Sequence, residues 1–120
     1  MKLAKSLLVG AALSSVLATS AFSAMMSNDA LVKEGEKIFN VKKIGNCLAC
    51  HDVNGKNIVN PGSMGPKLQY LSAWPEKALY DKIYNPYKTN PVSKMPAFGQ
   101  SGWLTDHQIK ALVAYLKTVN

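Results

Sequence analysis

A small all-α domain is the fold class that this sequence predicts, and three observations predict it. Three segments place apolar residues at helical spacing. No run alternates apolar and polar residues with the period of two that marks a half-buried strand. Two irregular stretches, Asp52 to Leu71 and Asn85 to Leu104, separate the helices and are rich in Gly, Pro, Asn and Ser. Loops of about 20 residues are uncommon in compact domains unless they wrap around something. A chain this short with two of them lacks core, and a large apolar cofactor would supply it.

The elements follow in order. Met1 to Lys5 carry two lysines, Ser6 to Ala18 are apolar, and small residues cluster from Thr19 to Ala24. This is the pattern of a secretory signal peptide, with cleavage after Ala21, Ser23 or Ala24. The expected division is therefore a signal over residues 1–24 and one domain over 25–120. The apolar run is short for a membrane span, so no stable span is expected after cleavage; an uncleaved anchor is the alternative. The first helix is expected from about Asn28 to Asn40, capped by Asn28 or Asp29, with Leu31, Gly35, Ile38 and Phe39 near one face. Gly35 costs about 1 kcal/mol relative to alanine in a helix, which close approach by another element would explain. The second helix runs from about Trp74 to Tyr84, with Pro75 suited to its first position and Pro86 ending it. The third, Thr105 to about Thr118, opens on a capping box of Thr105 and Gln108. Ile109, Leu112, Val113 and Leu116 give its apolar stripe, and Lys117 suits the C-terminal end of its dipole.

Charge narrows the partners. The chain carries a formal +7 over 120 residues, and every basic residue outside histidine is lysine. Losing Lys2 and Lys5 with a signal would leave about +5. Arginine dominates planar phosphate recognition, and no basic cluster interleaves with aromatics, so nucleic acid is excluded as a partner. A moderate positive charge suits acidic protein surfaces, or plain solubility.

Cys47-Leu48-Ala49-Cys50-His51 is C-x-x-C-H, the attachment pattern of c-type haem. Residues three apart on one helical turn face the same way, so both thiols can reach the two vinyl groups of one porphyrin. The adjacent histidine is then held beneath the iron. One motif implies one covalently attached haem c. The alternatives are weaker. A thioredoxin-like C-x-x-C needs a βαβ context. A zinc site drawing on Cys47, Cys50, His51 and His107 would need adjacent Cys and His as simultaneous tetrahedral ligands. A lone disulfide across so short a ring would stabilise little. His51 is thus the proximal iron ligand, and a ligating histidine usually donates its other ring N–H to a carbonyl; the Pro66 carbonyl in "GPKL" is the candidate.

The sixth ligand has several candidates: Met25, Met26, Met64, Met95 and His107. Met25 and Met26 lie near a terminus, and His107 opens a solvated helix. Met64 stands 13 residues after His51, in a loop expected on the proximal side. Met95 stands 44 residues after His51, beyond a helix, so the chain can round the haem edge and return on the opposite face. Pro91 and Pro96 would hold its loop extended and pre-organised. Met95 is the expected distal ligand, with Met64 or an open or His-ligated site as the alternative.

A helix, C-x-x-C-H, "GPKL", a second helix, "KMPAFG" and "LTDHQIKALVAYLK" occur here in that order. That order resembles the class I c-type cytochromes over essentially residues 25–120. The resemblance implies a small fold in which the first and last helices cross, with Gly35, Phe39 and Tyr115 matching that family's crossing positions. "GNCLACH", "PGSMGPKL" and "NPVSKMPAFG" with "LTDHQIKALVAYL" are similar to the SoxX family, the monohaem subunits of SoxXA complexes. That resemblance implies a periplasmic electron-transfer subunit. Its partner would be a SoxA-like cytochrome, in a complex that couples thiosulfate to the SoxYZ carrier as an L-cysteine S-thiosulfotransferase. The chemistry would lie on the SoxA haem, with this chain not catalytic alone. The alternative is a free cytochrome shuttling electrons between respiratory complexes and a terminal oxidase or peroxidase. Lys42, Lys43 and Lys94 would then steer acidic redox partners. A haem sensor is a third class, which a distal methionine argues against. Exposed Trp74, Tyr80, Tyr84, Tyr87 or Trp103 would favour the stable subunit over the shuttle.

Overall fold

The computed structural model describes residues 15–120, with side chains described from Ser27 onward. Its elements are three α-helices, α1 (Ser15–Asn40), α2 (Glu76–Tyr84) and α3 (Asp106–Leu116), and three short 3-10 turns, Cys47–Ala49, Leu71–Ala73 and Pro86–Lys88. Among the described residues the only β pairing is an isolated parallel bridge between Val53 and Leu68. The all-α expectation holds.

The helix boundaries correct the sequence reading in two places. α1 begins at Ser15, so Asn28 and Asp29 are interior residues and cap nothing. Between Ser15 and Gly35 the chain has no Gly or Pro and many Ala, Leu and Met, so a helix started downstream propagates back. The signal-peptide expectation falls largely on residues 1–14, which lie outside the described residues. Pro75 has φ −59° and ψ 137°, so it is the N-cap of α2 and not its first helical residue. Asn85 is extended at the other end, as Pro86 requires.

α3 is as expected. The Gln108 N–H donates to Thr105 Oγ1 at 3.2 Å, and the Thr105 N–H donates to Gln108 Oε1 at 2.9 Å. Ile109, Leu112, Val113 and Leu116 are buried, together with Ala111 and Tyr115. Lys117 does more than complement a dipole. Its ammonium donates to the Ser72 and Trp74 carbonyls at 2.6 and 2.5 Å, tying the approach to α2 onto the end of α3.

α1 crosses α3 at Gly35. A Cβ there would run into the Ala111 carbonyl and lie 2.8 Å from Tyr115 Cβ. Beside the crossing, Phe39 and Tyr115 are each about 1% exposed with ring centroids 5.6 Å apart. The helical cost of Gly35 is thus offset by contact between two helix backbones. Glu34 and His107 join the same two helices at the surface, at 2.9 Å.

The long loops are tethered. The first folds back through the Asn54 N–H to the Leu68 carbonyl and the Leu68 N–H to the Asp52 carbonyl, both 2.8 Å. The second leaves α2 through the Pro86 turn and returns under Tyr84, whose carbonyl accepts from the Gly99 and Gln100 N–H groups. A Cβ on Gly99 would meet the Tyr84 ring. The Tyr84 ring stacks on Tyr80, whose hydroxyl donates to Asp106 at 2.7 Å.

Two outcomes follow from this packing. Gly35→Ala gains helix propensity yet forces the crossing apart, so it should lower stability by about 1–3 kcal/mol, read as a lower urea midpoint with an unchanged slope. The Asp106 carboxyl is held below its usual value of 3.8 by the Lys110 ammonium and then by the Tyr80 hydroxyl. A depressed carboxyl stabilises the fold above its unfolded pKa, and that contribution is lost as pH falls through the folded pKa. Asp106→Asn should therefore lower the unfolding midpoint at neutral pH, and the gap to wild type should close in strong acid.

Candidate cofactor site

The site begins at a turn. Asn46 has φ 52°, a left-handed conformation that asparagine tolerates better than most residues. It turns the chain into the 3-10 turn Cys47–Ala49, which the Cys50 and His51 N–H groups extend by donating to the Cys47 carbonyl at 3.1 and 3.0 Å. Cys47 and Cys50 are free thiols, each partly buried. Burial pushes the Cys47 thiol up to about 12, so it is held as a neutral thiol.

The loop around Gly62 and Pro66 is laid against this turn. The Gly62 N–H donates to the Leu48 carbonyl at 2.8 Å, and the Gly65 N–H donates to the Cys50 carbonyl at 2.9 Å. His51 Nδ1 lies 2.7 Å from the Pro66 carbonyl oxygen. A carbonyl only accepts, so Nδ1 carries the proton and Nε2 keeps its lone pair for a metal. Gly65 lies flat on the imidazole: a Cβ there would come within 2.7 Å of Nδ1 and 2.9 Å of Nε2. One loop thus sets the tautomer and supports the ring.

His51, Cys47 and Cys50 open into a cavity of about 680 Å³. Its walls are mostly apolar, with Phe39, Leu79, Ile83, Phe98, Leu112 and Leu116 contributed by all three helices and the second loop. Met64 and Met95 both line it. They differ in setting. Met64 is 75% exposed and sits in the loop that supports His51. Met95 is half-buried and packs against the core from the other loop, beyond α2. His107 is held at the surface by Glu34 and does not line the cavity. Met25 and Met26 are residues whose side chains lie outside the described part. Among the described residues, no three His, Cys, Asp or Glu side chains cluster as a metal site would need, which leaves the zinc alternative without a ligand set.

These residues fit a haem. The cavity lies within the roughly 300–1,000 Å³ typical of cofactor sites. It is apolar where a porphyrin face needs it, and it brings two thiols and a correctly protonated imidazole to one wall. Lys67, Lys82 and Lys94 also line it, and no carboxylate does. Sequence reasoning missed Asn46, which lines the cavity with a buried Oδ1 lacking a hydrogen-bond partner. It also missed Ser93, whose hydroxyl contacts the Met95 main chain. Nothing in apolar periodicity marks either residue.

The family described as cytochrome c oxidase, cbb3-type, subunit III matches residues 30–116. The chain belongs to that family of c-type cytochromes. A chain of the crystal structure of SoxXA from P. pantotrophus is 30% identical, with a TM-score of 0.64; the match covers 72% of this chain and 79% of that one. An uncharacterized lipoprotein of Aquifex aeolicus (strain VF5) is 38% identical over 91 residues. That match takes in 72% of this chain, which spans only 44% of the relative's length. The fold is accordingly the small class I cytochrome c fold, close to SoxX; the cofactor is haem c and the role is electron transfer. Among the described residues no helix is long and apolar enough to cross a membrane.

The support beneath His51 is open to test. Gly65→Ala leaves the Gly65 N–H tied to Cys50 but drives a methyl group into the imidazole. It should cost about 1–3 kcal/mol of stability. It should also weaken the Pro66 bond, seen by NMR as faster solvent exchange of the Nδ1 proton.

Proposed function

We propose that this cytochrome is an exported, SoxX-like electron-transfer subunit that holds a single haem, with His51 and Met95 as its axial iron ligands. The observation that carries this reading is the convergence of Cys47, Cys50, His51 and Met95 on one apolar cavity. Cys47 and Cys50 would anchor the haem as thioethers. Haem iron, when bound, supplies a one-electron couple.

The residues have separable tasks. The Pro66 carbonyl holds the proton on His51 Nδ1, which directs Nε2 to the metal and raises its basicity. Gly65 fixes the ring plane. Met95 offers a soft thioether from a loop pinned to Tyr84, and a His/Met pair favours a relatively high potential. Met64 is tied through its loop to the His51 side, which supports Met95 as the distal ligand. The apolar walls would limit the access of water to a bound haem iron and so lower the reorganisation that accompanies electron transfer.

The SoxX-like reading draws support from the likeness to a SoxXA chain and from the surface. Trp74, Tyr84, Tyr87 and Trp103 are 38–57% exposed, and large exposed aromatics suit a stable interface more than a fleeting one. Tyr80, the fifth aromatic of that expectation, is only half-exposed and is engaged by Asp106. The partner would be a SoxA-like cytochrome, and the complex would couple thiosulfate to a carrier protein. Any sulfur chemistry would lie on the partner, because the two cysteines of this chain would be committed to haem. Residues 1–24 would act as the export signal and 25–120 as the haem domain, which places the work in the periplasm. A free shuttle is the second reading. It is favoured by Lys82 and Lys94, which line the cavity and have no ion-pair partner among the described residues, a pattern that steers acidic redox proteins.

Two measurements test this. Met95→Ala holoprotein should lose the weak sulfur-to-iron absorption in the far red; if the band survives there and vanishes in Met64→Ala, the ligand assignment moves to Met64. Affinity purification from the native host at moderate salt should recover a second cytochrome, and thiosulfate should reduce the haem only in its presence. A protein that emerges alone, with a haem that thiosulfate leaves oxidised in the cell extract, is a shuttle.

A further inference from the structure

The Met95 loop is held unequally along its length. Downstream of the methionine, main-chain bonds fix it: Gly99 and Gln100 donate to Tyr84, Ser101 donates to Ala97 at 2.9 Å, and Leu104 donates to Phe98 at 3.0 Å. Around the methionine itself, Pro91 and Pro96 bracket the segment and neither has an N–H to give. The turn there is closed by the Ser93 N–H donating to the Asn90 carbonyl at 3.0 Å. What then fixes Met95 is a side chain. The Met95 N–H donates to Ser93 Oγ at 3.1 Å, and the Ser93 hydroxyl is 3.3 Å from the Met95 carbonyl, to which it can donate. One hydroxyl therefore engages both main-chain polar groups of the methionine. Among the described residues the Met95 N–H has no other partner.

We propose that Ser93 is a positioning residue for the distal ligand: its hydroxyl, bonded to the Met95 N–H and carbonyl, holds the thioether ready for the iron. This rests on the reading of Met95 as that ligand. A thioether is a weak ligand, and its hold on iron depends on how little freedom the loop must lose to deliver it. The prolines restrict φ at residues 91 and 96 and bias the residue before each towards extended backbone. They leave the rotation of the Val92–Met95 segment about its ends undetermined. The Ser93 clamp removes that freedom at the residue where it matters. It also satisfies a part-buried N–H that has no other partner among the described residues.

The test is competition at the iron of the ferric holoprotein. Imidazole binds only when the sixth position opens, so its apparent affinity reports how firmly the native ligand is held. Ser93→Ala should bind imidazole about fivefold more tightly than wild type, the worth of one ordinary hydrogen bond. Ser93→Thr, which keeps the hydroxyl, should stay near the wild-type value. Met95→Ala should bind far more tightly than any of them. Thr105→Ala, which removes the α3 cap, should lower the unfolding midpoint and leave imidazole affinity unchanged. If Ser93→Ala matches wild type while Met95→Ala binds tightly, the clamp is overturned and the ligand assignment stands. If Met95→Ala also matches wild type, the ligand assignment fails and the clamp with it. If Thr105→Ala tightens imidazole as much as Ser93→Ala does, the effect is general loosening, and the clamp is again overturned.

Discussion

The domain is arranged around one apolar site. About 680 Å³ of apolar space lies between three helices and two long loops. Apolar lining of this extent suits a flat apolar group, because seating one removes apolar surface from water. Phe39 from α1, Leu79 and Ile83 from α2, and Leu112 and Leu116 from α3 are each buried among protein on one side and present the cavity with the other. Haem c, the cofactor of this family, would complete the core at this site as well as carry the electron.

That geometry depends on a close crossing. Gly35 lets α1 lie against the α3 backbone, which packs the Phe39 and Tyr115 rings together at a tilt of 55°, and the chain after α1 leads into the attachment turn that lines the cavity. From there the attachment turn and the Gly62–Pro66 loop build one wall. The Met95 loop builds another, and it is tied through Tyr84, Tyr80 and Asp106 to the start of α3. The two walls are thus referred to the same helix pair. A relation of this kind holds His51 and Met95, from distant parts of the chain, on two walls of one cavity.

The cavity wall also shapes recognition. Of its three lysines, Lys67 is paired with Asp52 at 3.3 Å, and other paired charges lie away from the site: Lys77 with Asp81 and Lys110 with Asp106. Exposed pairs like these contribute little to stability. Among the described residues, Lys82 and Lys94 have no carboxylate within ion-pair distance. Unpaired charge beside exposed apolar side chains such as Val92 and Met64 combines steering with area to bury. Both features suit a redox partner approaching the cavity mouth.

Much of this was legible in the sequence. C-x-x-C-H named the cofactor, because only that spacing offers two thiols and an imidazole on one turn. The capping box gave the start of α3, since a cap is a local hydrogen-bond pattern. Gly35 signalled a close approach, because a glycine inside an amphipathic helix has a cost that packing must offset. The start of α1 was not legible. Helix propagation through Ser15–Met26 competes with a signal-like composition, and local sequence does not arbitrate between them. Nor could Met64 and Met95 be told apart from their neighbours alone, as both stand in Gly/Pro loops. Tertiary structure separated their settings: backbone bonds from Gly62 and Gly65 fasten the loop of Met64 to the His51 turn, whereas Met95 packs on the core beyond α2. Pro66 and Ser93 meet His51 and Met95 through a carbonyl and a hydroxyl that folding brings within hydrogen-bond reach. Sequence alone sets which groups a chain can offer; the distances and directions among them exist only once the helices have crossed.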